Sequence, residues 1–145
     1  MAGHLGFLLR RVQLAVFNDF QARTAAFNIT PTEYSILAVI AAEPGLQQTR
    51  LAEMIGVKPA NCVALLTELE KRRLLDRRVF VEKPARGRAL ALRLTPEGKK
   101  LLKQINRQVS EHQAFLVQLL GDDAHEDLRH LLLLLLDHAD SGRLG

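Results

Sequence analysis

The sequence predicts a mainly α-helical fold that carries one small β-hairpin. Three observations predict it. Apolar residues recur at helical spacing over most of the chain. Two of the helical segments, around Leu51 and around Leu66, are separated only by a tight turn at Gly56-Val57. Between Leu74 and Leu94 the pattern changes to short runs, Arg78-Val79-Phe80-Val81 and Ala89 to Leu94, around the breaker-rich loop Glu82 to Gly87. Helix, tight turn, helix and basic hairpin describe a winged helix-turn-helix core, spanning residues 30–95. The helical segments 3–28 and 96–140 flank it as dimerisation helices, within a single domain of residues 1–145.

Each element has a local reason. Leu5 to Phe27 lacks proline, and lacks glycine after Gly6. Leu8, Leu9, Val12, Val16 and Phe20 form one stripe, with Phe7, Leu14 and Phe17 on neighbouring faces, which is too apolar for a helix packed on one side. Thr30-Pro31-Thr32-Glu33 is a capping box that opens a helix carrying Tyr34, Ile36, Leu37 and Ile40 and ending near Pro44-Gly45. Gln48 to Ile55 follows, with Leu51, Met54 and Ile55 as its inward stripe. Gly56 stops it, because a tight turn needs the left-handed conformation. Lys58-Pro59 starts the second helix of the motif, proline being tolerated in a first turn. Cys62, Leu65, Leu66 and Leu69 face inward. After the hairpin, Thr95-Pro96-Glu97 opens a helix to about Leu120. Gly121 breaks it, and Asp122-Asp123 begins a last helix that ends in Leu131 to Leu136.

The outward side of the second motif helix carries Pro59, Ala60, Asn61, Val63, Ala64 and Thr67. A solvated helix face ordinarily carries Glu, Lys and Arg. Small groups and an Asn suit a major groove, where they meet thymine methyls and base edges. The following segment, Lys71 to Arg88, holds eight basic residues against Asp76 and Glu82. Charge is segregated along the chain. Residues 58–103 hold thirteen basic and five acidic residues, a net +8, and the remainder is net −4. A basic middle between acidic flanks predicts a polyanion partner for the middle alone.

The single cysteine, Cys62, excludes an intrachain disulfide and fits a reducing cytoplasm. The leucine run at residues 131–136 is far shorter than the roughly 20 residues of a bilayer span, so no membrane partner is expected. His125, His130 and His138 lack the i, i+4 spacing that aligns two metal ligands on a helix, and neither a metal nor a cofactor is expected. Neither a nucleophile–base arrangement nor a phosphate-cradling glycine loop stands out, which speaks against an enzyme. Both terminal helices expose more leucine than one chain can cover. A C2 homodimer is expected, with Leu5, Leu8, Leu9 and Val12 meeting Leu128, Leu132 and Leu135 across the seam.

Leu51 to Val57, Leu65 to Lys71, Leu74-Leu75-Asp76-Arg77, Gly87-Arg88-Ala89 and Leu92 to Gly98 occur in an order and spacing that resemble the MarR family of winged-helix transcriptional regulators. The resemblance covers roughly Leu5 to Leu136. Two positions depart from it. The family commonly has glycine where Arg73 stands, and aspartate where Arg86 stands, so the wing here is more basic. The resemblance implies a cytoplasmic homodimeric repressor bound to an inverted-repeat operator in double-stranded DNA. Asn61 and Thr67 are expected at base edges and Ala60 and Ala64 at thymine methyls. Lys58, Arg72 and Arg77 are expected at phosphates, with Arg88 and Arg86 in the minor groove. It also implies a small-molecule effector, an aromatic acid or a conjugate of one. That effector would lie in a crevice with Phe17, Phe20 and Tyr34 as its aromatic wall and Arg10, Arg11 or Arg23 as its cation. An architectural protein that coats DNA without reading it, and a protein-interaction module that has lost DNA binding, fit the same residues.

Overall fold

The computed structural model describes residues 3–81 and 88–142; the side chains of residues 78–90 lie outside the description. The chain divides into two compact units, residues 1–108 and 109–145. The first unit contains α1 (Leu5–Thr24), a 3-10 turn (Ala25–Phe27), α2 (Pro31–Ala42), β1 (Leu46–Gln47), α3 (Gln48–Ile55), α4 (Pro59–Lys71), β2 (Leu75–Val81) and β3 (Arg88–Leu94). α5 (Pro96–Leu120) begins in it and ends in the second unit, which also holds α6 (Asp122–Asp140).

The capping box is formed as expected. The Glu33 backbone N–H donates to Thr30 Oγ1 at 3.2 Å, and the Thr30 N–H donates to Glu33 Oε1 at 3.0 Å. α3 ends at Gly56, whose φ of 70° supplies the left-handed residue of the turn. The strands order as β1-β3-β2, all antiparallel. β2 pairs with β3 from Leu75 opposite Leu94 to Val81 opposite Arg88. β1, two residues pairing Leu46 with Leu92 and Gln47 with Ala91, is not legible in the sequence because so short a strand has no period of its own. Ile36, Leu37 and Ile40 of α2, Leu51 of α3, Cys62, Leu66 and Leu69 of α4, Leu75 and Leu92 of the sheet and Ile105 of α5 are fully buried. This shared core orients α3 and α4 on the sheet. Met54, expected inward, is 40% exposed: it lies at the edge of the α3 stripe, which Leu51 and Ala52 already fill.

α4 ends in a Schellman motif. The Leu74 N–H donates to the Leu69 carbonyl at 3.0 Å and the Arg73 N–H to the Glu70 carbonyl at 2.9 Å. The motif places Arg73 at φ 59°, the left-handed region. That geometry favours glycine at this position, since a side chain there costs about 1–2 kcal/mol that glycine avoids. Arg73 is exposed, so removing its side chain exposes no core. Arg73→Gly is therefore expected to raise stability by about 1 kcal/mol, the gain being trimmed by the looser unfolded chain. Denaturant unfolding of the two proteins checks it; a loss of stability would mean that the side chain is held by favourable contacts.

The joint between α4 and α5 is tight. Thr95 Oγ1 donates to the Arg73 carbonyl at 2.6 Å and accepts from the Gly98 N–H at 3.0 Å, while the Thr95 N–H donates to the Leu74 carbonyl at 3.1 Å. Thr95 thus caps α5 and binds the preceding turn at once. Gly98 lies so close to the Leu74 carbonyl that a Cβ has no room there.

Candidate nucleic-acid interface and effector cavity

The helix-turn-helix presents the outward face of α4 to solvent. Lys58, Pro59, Ala60, Asn61 and Ala64 are exposed, and Val63 is 39% exposed. The other polar residues of this region are tied into the protein. Thr67 Oγ1 donates to the Val63 carbonyl at 2.9 Å and accepts from Arg77 Nη2 at 3.0 Å. Arg77 also donates from Nε to Glu70 at 2.7 Å, and its side chain is only 19% exposed. Arg72 donates to the Asn28 carbonyl at 2.8 Å and the Phe27 carbonyl at 3.4 Å, with Glu33 at 3.7 Å. These contacts give both arginines, Arg72 and Arg77, partners within the protein. The first guanidinium fastens the end of α4 to the α1–α2 connection, and the second ties β2 to α4. The Arg72 partners Asn28 and Phe27 lie forty-four and forty-five residues away, so the role of Arg72 is not legible in the sequence.

Arg86 lies outside the described residues, as does the side chain of Arg88, whose backbone begins β3. Cys62 is fully buried, and burial pushes its thiol up from its ordinary value. A buried, protonated thiol lacks the accessible thiolate on which redox sensing depends.

The expected aromatic wall is partly assembled. The rings of Phe20 and Tyr34 pack with centroids 5.3 Å apart and a 49° tilt. The Tyr34 hydroxyl donates to Asn106 Oδ1 at 2.9 Å, and burial raises its pKa, so it remains a donor at neutral pH. Phe17 stays 37% exposed on α1. Arg23 pairs with Asp19 of its own helix at 2.9 Å, the Arg11 guanidinium lies 6.0 Å from the Phe7 ring centroid, and Arg10 is exposed.

Sequence reasoning missed a different group. An open cavity of about 360 Å³ is lined by Ile40, Ala41 and Pro44 from α2 and its C-terminal end, by Arg93 and Leu94 of β3, and by Lys99, Leu102, Lys103 and Asn106 of α5. The last four recur at i, i+3, i+4 and i+7, which places them on one face of α5. That spacing was visible in the sequence; the facing residues of α2 and β3 were not.

The terminal segments are apolar and uncovered. Leu5, Leu8, Leu9 and Val12 are 38–64% exposed. In the second unit Leu128 and Leu132 are each 40% exposed, Leu135 is half-buried, and no described residue of α6 is buried. In that unit the His125 ring shares a hydrogen bond with Gln113 at 3.0 Å. Among the described residues no helix is long and apolar enough to cross a membrane.

A two-helix motif with an exposed, small-residue second helix, seated on a sheet that extends into a basic hairpin, defines the winged helix-turn-helix class of DNA readers. The MarR family profile matches residues 27–87. A protein of Thauera aromatica assigned as a transcriptional regulatory protein for the hcr operon is 38% identical over 110 residues, 75% of this chain. The match spans 64% of that relative's length, just under two-thirds. The transcriptional repressor CouR bound to a 23-mer DNA duplex superposes with a TM-score of 0.85 at 34% identity, covering 93% of this chain and 94% of that one. CouR bound to p-coumaroyl-CoA gives 0.83 at 34% identity, with 93% of each chain covered. PcaV of Streptomyces coelicolor with its natural ligand gives 0.78 at 27% identity, with 95% of each chain covered. This chain belongs to the MarR family, a family of transcriptional regulators rather than a class of enzymes.

Proposed function

We propose that the protein is a homodimeric, sequence-specific transcriptional repressor in the cytoplasm, released from its operator by an aromatic acid or by the coenzyme A thioester of one. The observation that carries the DNA reading is the contrast along α4. Ala60, Asn61, Val63 and Ala64 are free on its outer face, while Thr67, Arg72 and Arg77 are consumed by partners inside the protein. Asn61 is then the polar group of that face left to read a base edge, with Ala60, Val63 and Ala64 against thymine methyls. Lys58 at the start of the helix is offered to a phosphate, and Arg88 and Arg86 of the wing to the minor groove. CouR, a repressor 34% identical, is known bound to DNA and bound to p-coumaroyl-CoA, which supports both halves of the reading. The Phe20–Tyr34 pair supplies an aromatic surface for the acyl group.

The test is a titration of labelled operator duplex against a scrambled one. Asn61→Ala is expected to weaken operator binding by roughly 1–3 kcal/mol and to relax preference at one position per half-site. Binding is expected to fall steeply with salt, as when several phosphates are neutralised. Equal affinity for both duplexes would instead make this an architectural DNA-binding protein.

A further inference from the structure

We infer that the cavity between α2, β3 and the start of α5 is a phosphate site that takes the charged end of the effector thioester. The inference rests on the thioester reading above. The cavity's volume, about 360 Å³, lies within the range of small-molecule sites. Its floor is apolar, from Ile40, Pro44, Leu94 and Leu102, and none of its lining residues is acidic. Arg93 faces Asp76 across the strand ladder, so the surplus positive charge rests on Lys99 and Lys103, one helical turn apart. An apolar floor beneath two lysines suits a ligand that is partly organic and carries several negative charges. A nucleotide bearing phosphates has that chemistry; a lone carboxylate is too small and too weakly charged to need it.

Position links this cavity to the aromatic pair. Asn106 lines the cavity and also accepts the hydrogen bond of Tyr34, whose ring packs on Phe20. An aromatic acyl group against Phe20 and Tyr34 and a phosphorylated tail over Lys99 and Lys103 thus lie on either side of one residue. The phosphate-bearing end of the ligand therefore meets cations on α5, Lys99 and Lys103.

The test titrates the full-length protein with free coenzyme A, p-coumaroyl-CoA and p-coumarate by calorimetry, as wild type and as Lys99→Glu/Lys103→Glu. Both lysines are exposed, so the variant should fold, and circular dichroism checks that. Free coenzyme A is expected to bind the wild type in a salt-sensitive manner and to bind the variant at least about tenfold more weakly, with p-coumarate unaffected. Coenzyme A binding that is absent, or equal in the two proteins, overturns the site. So does a variant that loses operator affinity while keeping coenzyme A, since the lysines would then serve DNA. If coenzyme A binding is lysine-dependent yet no thioester releases the operator, the phosphate site stands and only the effector reading falls.

Discussion

Replacing Gly98 with alanine is expected to destabilise the protein by roughly 3 kcal/mol, lowering the melting temperature by about 10 °C. The direction is the reverse of the usual one, since glycine inside a helix ordinarily costs about 0.5–1 kcal/mol relative to alanine. Here the first turn of α5 is held against the turn that follows α4 by Thr95, which binds the Arg73 carbonyl and the Gly98 N–H together. A Cβ on Gly98 would run into the backbone carbonyl of Leu74, and a backbone carbonyl cannot swing aside as a side chain would. Either the Thr95 hydrogen bonds break or the whole of α5 shifts. The exposed neighbour Glu97 provides the control, and Glu97→Ala should change stability by less than about 0.5 kcal/mol. Unfolding of the two variants side by side distinguishes a steric effect from a general sensitivity of the helix start; equal stability of Gly98→Ala and wild type would mean that the joint is loose.

The second large effect is expected at the chain's apolar termini. Leu132→Glu combined with Leu135→Glu should convert the dimer into monomers or insoluble chains, as read by sedimentation at micromolar concentration. Leu132 is 40% exposed and Leu135 half-buried in a helix that has no buried residue among those described. A seam of leucines tolerates a buried, unpaired carboxylate poorly, and two such groups per chain double the cost. Operator affinity should fall with the dimer, because the second half-site is then no longer tethered; the avidity at stake is roughly 10²–10⁴-fold. A well-folded dimer of the doubly substituted protein would place the seam elsewhere, with the exposed α1 residues Leu5, Leu8, Leu9 and Val12 as the alternative to test.

Much of the fold follows from interactions between residues only a few positions apart. The capping box at Thr30 and Glu33, the left-handed glycine at position 56 and the helical spacing of Cys62, Leu66 and Leu69 are short-range signals, and each is realised in the structure. So are the hairpin and the breaks near Pro44 and at Gly121. The departure at Arg73 was equally visible, but its meaning needed the φ of 59°. By itself the sequence determined the helix-turn-helix, its wing and the small-residue face of α4, because periodicity and capping are properties of local chain. Only the tertiary structure decided which polar groups remain for a ligand. Arg72 is fastened to Asn28, Arg77 to Glu70 and Thr67, and Tyr34 to Asn106, and the cavity joins α2 to α5. A charged side chain reads the same in a sequence whether its partner is water, phosphate or a carbonyl forty-four residues away. Packing makes that choice, since it determines which buried or half-buried acceptors must be satisfied from within.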